Sequence, residues 1–382
     1  MADTRKDALN LTDSNNQATP MDMDVKSLCV LMRAPANKAQ VPTLEEVALR
    51  ALAKRGLYAY SESKYARLLY IRSTTQLADV VTEAELLLLY VVRGNQGAAE
   101  AMIRANPALL RQRAAVIDYS GRVVDDTPFG AAMHAHDVEM WTMMQPYFDR
   151  LENGHTERVN QFNATFPNGL PVEEPYDFSA LIDVFTSSSD ADIKTAFDHP
   201  KLDIEENDPA IYHILNVFRR EFTELSLQAK HFNPQHLLRA FTICKEKFET
   251  GTWDWDKCCL WSVQVAGFIQ RFLPACYAQA FSQGLYYIVE KHESLRRSFD
   301  FRYGGGAIYP LADGPTGLGF EYWFGGWALP SFGGVVVRGS SCCRSLLLWN
   351  SYVEQKREAW RTLCSACSSQ PSESSRNLSR AV

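Results

Sequence analysis

The sequence lacks an excess of basic residues and a leading apolar segment. Its 39 Lys and Arg are outnumbered by 45 Asp and Glu, which gives a net charge of −6. Proteins that bind nucleic acid present a basic face to the phosphates, so this balance argues against nucleic acid as a partner. Residues 1–26 are polar and contain no apolar core of a secretory signal peptide. We therefore expect a cytoplasmic protein whose nine cysteines are reduced thiols.

The sequence also lacks a convincing membrane-spanning run. Residues 258–289 are the best candidate, because Arg271 is their single charge. Glutamine and serine recur through this stretch, and Pro274 and Gly284 interrupt it. A spanning helix needs about 20 predominantly apolar residues. We therefore predict no transmembrane segment, and expect two central helices that meet near Pro274 and are covered by their neighbours.

Sequence patterns for catalysis and metal binding are sparse. Residues 314–319 are rich in glycine but lack the Lys-Ser/Thr pair of a phosphate-binding loop. Cys364 and Cys367 form a C-x-x-C, yet a four-cysteine zinc site needs a second pair on a turn, and Cys342 and Cys343 are adjacent. We predict no cofactor, no metal site and no catalytic residue. A Cys-His or Ser-His-Asp assembly of residues distant in sequence stays open.

The clearest local pattern is residues 127–132, which read Thr-Pro-Phe-Gly-Ala-Ala. Thr127 can accept a hydrogen bond from a free backbone N–H at a helix start. Pro128 suits the first helical position because its missing N–H costs nothing there. Ala131 and Ala132 are small, so a neighbouring helix can approach closely. The pattern predicts a short helix packed tightly against another.

A second helix is predicted directly downstream. His136 and Asp137 would form a short turn, and apolar residues with helical spacing follow from Val138 to Met144. Trp141 is the largest of them, and we expect it in the core. The two helices would form an antiparallel pair.

A weaker copy of this helix pair lies upstream. Residues 86–92 are apolar, Gly94 marks a turn, and residues 98–103 continue as a second helix. Thr82 and Glu85 have the spacing of a capping box, in which each side chain accepts a hydrogen bond from a backbone N–H near the other. The sequence therefore predicts two helix pairs in succession.

These patterns resemble the ankyrin repeat, whose first helix opens with Thr-Pro-Leu-His-x-Ala. The sequence departs from that signature at Gly130, which replaces the histidine, and at His136, which replaces the turn glycine and would be strained by a left-handed backbone. An ordinary capped helical hairpin is the alternative. The resemblance gives a structural role to Gly94, Thr127, Pro128, Ala131, Ala132 and Trp141.

The spacing of the two turns also departs from the ankyrin repeat. Gly94 and His136 lie 42 residues apart, whereas an ankyrin repeat spans about 33. We expect the additional residues in a long, finger-like loop from Arg111 to Asp126. Two repeats cannot bury a core alone, because about three or more units are needed. Flanking helices, one of them opening at Thr43, must therefore act as caps.

We predict a mostly α fold: a short ankyrin-like helical repeat region followed by a helical domain with a Gly/aromatic-rich loop segment. Residues 304–339 contain eleven of the 21 glycines, which favours loops laid over the helical core. The predicted division is a disordered segment 1–40, a helical cap plus ankyrin-like repeats 41–148, a linker 149–177, a helical domain 178–363 that includes the Gly-rich cover, and a disordered tail 364–382.

Across residues 80–330 the chain resembles one group of proteins. The ankyrin-like segment, the run 265–281 and the Gly/aromatic segment together are similar to the poorly characterised ankyrin-bearing proteins of intracellular bacterial pathogens. Members of that group are suspected of delivery into host cells. The resemblance implies a protein–protein interaction module, an effector or adaptor whose partner is a host or bacterial protein.

Ankyrin modules bind partners through their loop fingers and the adjoining face of the first helix. The resemblance therefore implies partner contacts at Tyr119, Arg122, Met133 and His134. Two other functions stay open. One is an enzyme with a pocket between helices 233–293 and the Gly-rich segment 304–339, and the other is a purely structural C-terminal half that caps the repeats.

Overall fold

A computed structural model describes residues 82–118, 120–169, 171–172, 174–201, 203–298 and 341–368, with side chains of the last segment described for 346–365. This part of the chain is mostly helical, as the sequence predicted. The cap helix predicted from Thr43, the Gly-rich segment 304–339, the N-terminal segment 1–40 and the tail beyond residue 368 lie outside it.

The first half of the described region contains two helix pairs, a β-hairpin between them and one further helix. The helices are α1 (Glu83–Val92), α2 (Gln96–Ala105), α3 (Pro128–His134), α4 (Val138–Phe148) and α5 (Gly154–Thr165), and the strands are β1 (Ala114–Ile117) and β2 (Val123–Asp126). A 3₁₀ turn at Pro107–Arg111 connects α2 to β1.

The turns of the two helix pairs have the same backbone hydrogen bonds. Gly94 has φ +69° and His136 has φ +55°, so both lie in the left-handed region. The amide of Gly94 donates to Val91 and that of Asn95 to Tyr90, while the amide of His136 donates to Met133 and that of Asp137 to Ala132. The left-handed conformation costs a non-glycine residue about 1–2 kcal/mol.

Contacts of its ring offset the backbone strain at His136. The His136 imidazole is buried, with its centroid 4.2 Å from that of the Trp360 ring. Its Nδ1 lies 3.3 Å from the hydroxyl of Tyr277. A glycine at this position would relieve the strain but would lose both contacts.

The finger-like loop predicted between Arg111 and Asp126 is a β-hairpin. β1 and β2 pair antiparallel, with Ala114 opposite Asp126 and Ile117 opposite Val123. The Asp118 carboxylate closes the tip by accepting hydrogen bonds from the backbone amides of Ser120 and Arg122. The turn is therefore held by local hydrogen bonds.

Two predicted segments contain helix that the sequence did not predict. Residues 149–177 are not only a linker, because α5 lies within them and buries Phe162. Gly154 is the first residue of this helix, and Pro167 lies two residues beyond its end. The last helix runs to Ser368, past the predicted start of the tail at residue 364.

The second half is built from helices around a separate core cluster. They are α6 (Ser179–Ser187), α7 (Asp190–Asp198), α8 (Ala210–Gln228), α9 (Gln235–Glu249), α10 (Trp255–Trp261), a π-helical turn (Ser262–Ala266), α11 (Gly267–Gln270), α12 (Ala275–Gln283), α13 (Leu285–Val289) and α14 (Ser341–Ser368). As expected, buried helices meet at Pro274. Among the described helices, none combines the length and apolar character that crossing a membrane requires.

Helix α14 contributes to both core clusters. Trp349 and Val353 pack in the cluster of the second half, while Trp360 and Leu363 pack in the cluster of the helix pairs. The apolar side chains of α14 therefore help to close both clusters. All described residues belong to one compact unit.

Trp141→Ala tests the importance of the α4 stripe. Trp141 is 2% exposed, and removing a fully buried aromatic side chain costs about 3–5 kcal/mol. We expect the free energy of unfolding, measured by denaturant titration, to fall by about that amount. The control is Thr142→Ala at the neighbouring exposed position. Equal stability of the two variants would contradict the packing described for α4.

A second prediction concerns acid. Burial lowers the pKa of His136 to about 3, and burial lowers the pKa of His231 and of His236 to about 4. In the unfolded chain the histidine pKa values are near 6.5. Below that pH these side chains bind protons in the unfolded state, whereas in the folded state they stay neutral until the pH is much lower. Stability is therefore fully present above about pH 6.5 and falls as the pH drops toward 4, by up to about 1.4 kcal/mol per pH unit for each histidine.

The variant His136→Asn tests this acid dependence, because Asn tolerates a left-handed backbone. Denaturant titrations between pH 7 and pH 4.5 should give a shallower loss of stability than in the wild type. His199→Gln, at an exposed position, serves as the matched control. An unchanged slope for His136→Asn would contradict the prediction.

Candidate functional site

An open cavity of about 650 Å³ lies beside the β-hairpin. One wall consists of β2 and α3, and a second consists of α5. Residues 227–231, which face the hairpin through the contact of Ala229 with Arg122, and residues 273–275 complete the lining. Elements from both halves of the described region therefore enclose it.

The structure brings two of the four predicted partner contacts together. Arg122 and His134 both line the cavity. Met133 does not, because it is fully buried in the core cluster of the helix pairs. Successive residues of a helix point about 100° apart, so His134 can face the cavity only if Met133 faces elsewhere. The prediction for Met133 is therefore wrong, and Tyr119 lies outside the described residues.

The residues predicted to be structural lie at the helix start, the turn and the core. Thr127 Oγ1 accepts a hydrogen bond from the amide of Gly130 at 3.1 Å, and Pro128 is the first residue of α3. Gly94 occupies the first turn. Ala131, Ala132 and Trp141 are buried.

Asp126 and His134 form the central polar pair of the cavity wall. Asp126 Oδ1 accepts from the amide of Thr127 at 2.8 Å, and Oδ2 lies 2.8 Å from Nδ1 of His134. The end of β2 is thereby tied to the end of α3. A Cβ added at Gly130 would come within 2.5 Å of Asp126 Oδ1, so this position must be a glycine while the carboxylate stays in place.

Arg122 is held firmly at the hairpin tip. Its guanidinium lies 3.0 Å from Asp118 Oδ2, and both side chains are largely buried. Arg122 Nη1 also donates to the carbonyl oxygen of Ala229 at 3.4 Å. The predicted contact residue therefore connects the finger to the facing segment 227–231.

His231 is a cavity residue that sequence reasoning missed. Its ring centroid is 4.4 Å from that of His134, and the next amide, of Phe232, donates to the His134 carbonyl at 3.0 Å. Burial, with the neighbouring His134 and Lys230, lowers the pKa of His231. His231 lies almost 100 residues from His134 in the chain, so no local pattern could have joined them.

A hydrogen-bonded chain stiffens the α5 wall. Thr127 Oγ1 donates to Gln161 Oε1 at 2.8 Å, and Gln161 Nε2 donates to the carbonyl of Leu110 at 2.9 Å. The start of α3, the middle of α5 and the turn before β1 are thus linked through one buried amide side chain. This wall can hold its shape while a ligand binds.

Asp126 orients His134 Nδ1, but within the described ranges no hydroxyl or thiol forms a hydrogen bond with His134. No group of three His, Cys, Asp or Glu that could hold a metal ion occurs among the residues searched, which are those the structure describes. The cavity offers fixed charges, amide groups and a strand edge.

Comparison with known proteins gives no relative. No family model matches the chain, and no curated protein or solved structure matches it significantly. The proposed function therefore rests on the residues around the cavity, with their distances and charges.

Gly130→Ala tests the geometry of the Asp126–His134 pair. The added methyl group overlaps the Asp126 carboxylate, so we expect a loss of about 1–3 kcal/mol of unfolding free energy, as for overpacking in a core. In an Asp126→Ala background the same change should be neutral or stabilising, because Ala is the better helix former by about 1 kcal/mol. Additive effects of the two substitutions, measured by a double-mutant cycle, would contradict the clash.

Proposed function

We propose that this protein is a protein–protein interaction module whose two helix pairs and β-hairpin act as ankyrin-like repeats. The shared turn hydrogen bonds of the two pairs support this reading, as does the hairpin that projects between them. So does the Thr127-Pro128 start of α3. On the resemblance to pathogen proteins, we extend the proposal to a bacterial effector or adaptor in the cytoplasm of the producing or a host cell.

One observation carries the proposal. The surfaces that border the open cavity include β2 and the His134 side of α3, which correspond to the finger and first-helix surfaces through which ankyrin modules bind. The other faces of α3 and α4 are packed in the core, as Met133, Met140 and Trp141 illustrate. A partner can therefore approach the finger side without unfolding the helix pairs.

The cavity also has the mixed character of an interaction site. Arg113 and Asp125 are well exposed at its edge, while Val123 and Ala164 add exposed apolar surface. Lys230 contributes a further exposed cation from the facing segment. Polar rims around a small apolar centre are typical of transient protein interfaces.

The alternative enzyme pocket involves the Gly-rich segment 304–339, which lies outside the described residues. The cavity described above touches helices 233–293 only at residues 273–275. Its polar groups come mainly from the hairpin, α3, α5 and residues 227–231. Interaction is therefore the function that this geometry favours.

Ala164→Arg tests the proposed interaction face. Ala164 is an exposed α5 residue on the cavity wall, so a long side chain there obstructs the cavity without disturbing the core. The wild type should capture partner proteins from host-cell and bacterial lysates. We expect Ala164→Arg to recover the same proteins at about tenfold lower levels, equivalent to about 1.4 kcal/mol of binding free energy. Quantitative mass spectrometry provides the measurement.

The matched control is Ala191→Arg, an exposed helical position on α7 away from the cavity. Its captured proteins should match those of the wild type in identity and amount. If Ala164→Arg also captures the wild-type set undiminished, the cavity is not the interaction face.

A further inference from the structure

Among the described residues, strand β2 has an edge on the cavity with which no other strand pairs. In the described part of the chain it pairs only with β1, in a two-stranded sheet. All four of its residues, Val123–Asp126, line the cavity. A strand edge is a row of backbone donors and acceptors that another extended chain can pair with.

The register shows which backbone groups of β2 point away from β1. The amide of Asp118 donates to the carbonyl of Arg122 at 3.0 Å, which makes residues 118 and 122 a hydrogen-bonded pair. Such pairs alternate along an antiparallel ladder, so the N–H and C=O of Val123 and Asp125 point outward. Arg113 Nη2 donates to the Asp125 carbonyl at 2.8 Å, from outside the ladder.

Three outward groups therefore stay available for a third strand. They are the N–H and C=O of Val123 and the N–H of Asp125, which have no hydrogen-bond partner among the described residues. The four-residue strand offers a short edge, and the facing segment 227–231 confines a bound chain on its other side.

The exposed side chains of β2 indicate what the added strand should carry. Val123 is 58% exposed, and the Asp125 side chain is 67% exposed on the same face, two residues further on. Arg113 is shared between two carboxylates, Asp125 at 3.4 Å and Asp126 at 3.7 Å, so among the described residues Asp125 has no cation of its own. An apolar residue opposite Val123 and a Lys or Arg opposite Asp125 would be complementary.

We propose that β2 binds an extended segment of a partner protein as a third strand, with an apolar residue and a Lys or Arg two positions apart. The inference rests on the proposed interaction function and specifies how the partner protein binds. Backbone hydrogen bonds to Val123 and Asp125 supply affinity, and the two side-chain pairs supply selectivity.

The test uses the full chain and a displayed library of random 12-residue peptides. Selected peptides should be enriched in the apolar-x-Lys/Arg pattern. Fluorescence anisotropy should show binding weakened at least about tenfold by Val123→Pro, which removes an outward N–H. Val123→Thr keeps the N–H and the strand preference, and should bind within about twofold of the wild type.

Charge reversal gives an independent test. Asp125→Lys should weaken the binding of the Lys-bearing peptides. It should strengthen the binding of the same peptides with Glu in place of Lys. Val123→Pro should fold, because the Val123 N–H is not part of the ladder and proline is tolerated on edge strands. A thermal melt checks this. If that variant unfolds, hydrogen exchange of the wild-type Val123 and Asp125 amides should still slow at least about tenfold when peptide binds.

Several results would overturn strand addition. One is a selection that yields no binding peptide, and another is a Val123→Pro variant that binds the selected peptides as tightly as the wild type. A third is hydrogen exchange of the Val123 and Asp125 amides that peptide leaves unchanged, and a fourth is protection of these amides, without peptide, by a segment of the chain itself. The last is a dimer that forms through two β2 edges. If Val123→Pro retains the lysate partners that Ala164→Arg loses, the interaction function stands and only the strand mode fails. If neither variant loses them, both proposals fail.

Discussion

One arginine joins the two helix pairs to the C-terminal helices. Arg297 Nε donates to the carbonyl of Gly94, and its two terminal nitrogens contact the Asp137 carboxylate at 2.6 and 3.0 Å. Burial would lower the pKa of Arg297, but the Asp137 charge and hydrogen bonds raise it above its usual value. Breaking such a buried pair leaves an uncompensated charge at a cost of about 3–5 kcal/mol, so the docking of the two halves depends on this contact.

A second ion pair reinforces this junction two residues further along, in the first turn of α4. Lys356 Nζ lies 2.8 Å from Glu139 Oε2 and also lies over the ring of Tyr352. Four residues later on α14, Trp360 contacts the ring of His136. The strained left-handed backbone at His136 is thus retained because its side chain forms part of the junction, which explains how the turn forms without the glycine found at position 94.

Docking at the turns also determines where the cavity lies. The C-terminal helices cover the turns at Gly94 and His136, while residues 227–231 contact the hairpin through Arg122 and α3 through His134. Among the described residues, the space between this segment and β2 stays open. The proposed binding surface and the stabilising junction are therefore at different places on the same helix pairs, so a partner at the cavity would not compete with the Arg297 and Lys356 ion pairs.

Local chemistry in the sequence determined the helix starts and turns. The capping box of Thr82 and Glu85, the Thr127 cap with Pro128 and the left-handed turn at Gly94 each involve groups within about four residues, so sequence alone predicts them. The mostly helical class and the break at Pro274 follow in the same way.

Only the tertiary structure decided which residues meet at the cavity and where the predicted domains end. Met133 and His134 differ by one position, yet one is in the core and the other on the cavity wall, because the packing of α3 selects its buried face. His231, Arg297 and Lys356 reach their partners across about 100 to more than 200 residues. Such contacts depend on how whole elements pack, and that information is not contained in any local stretch of the sequence.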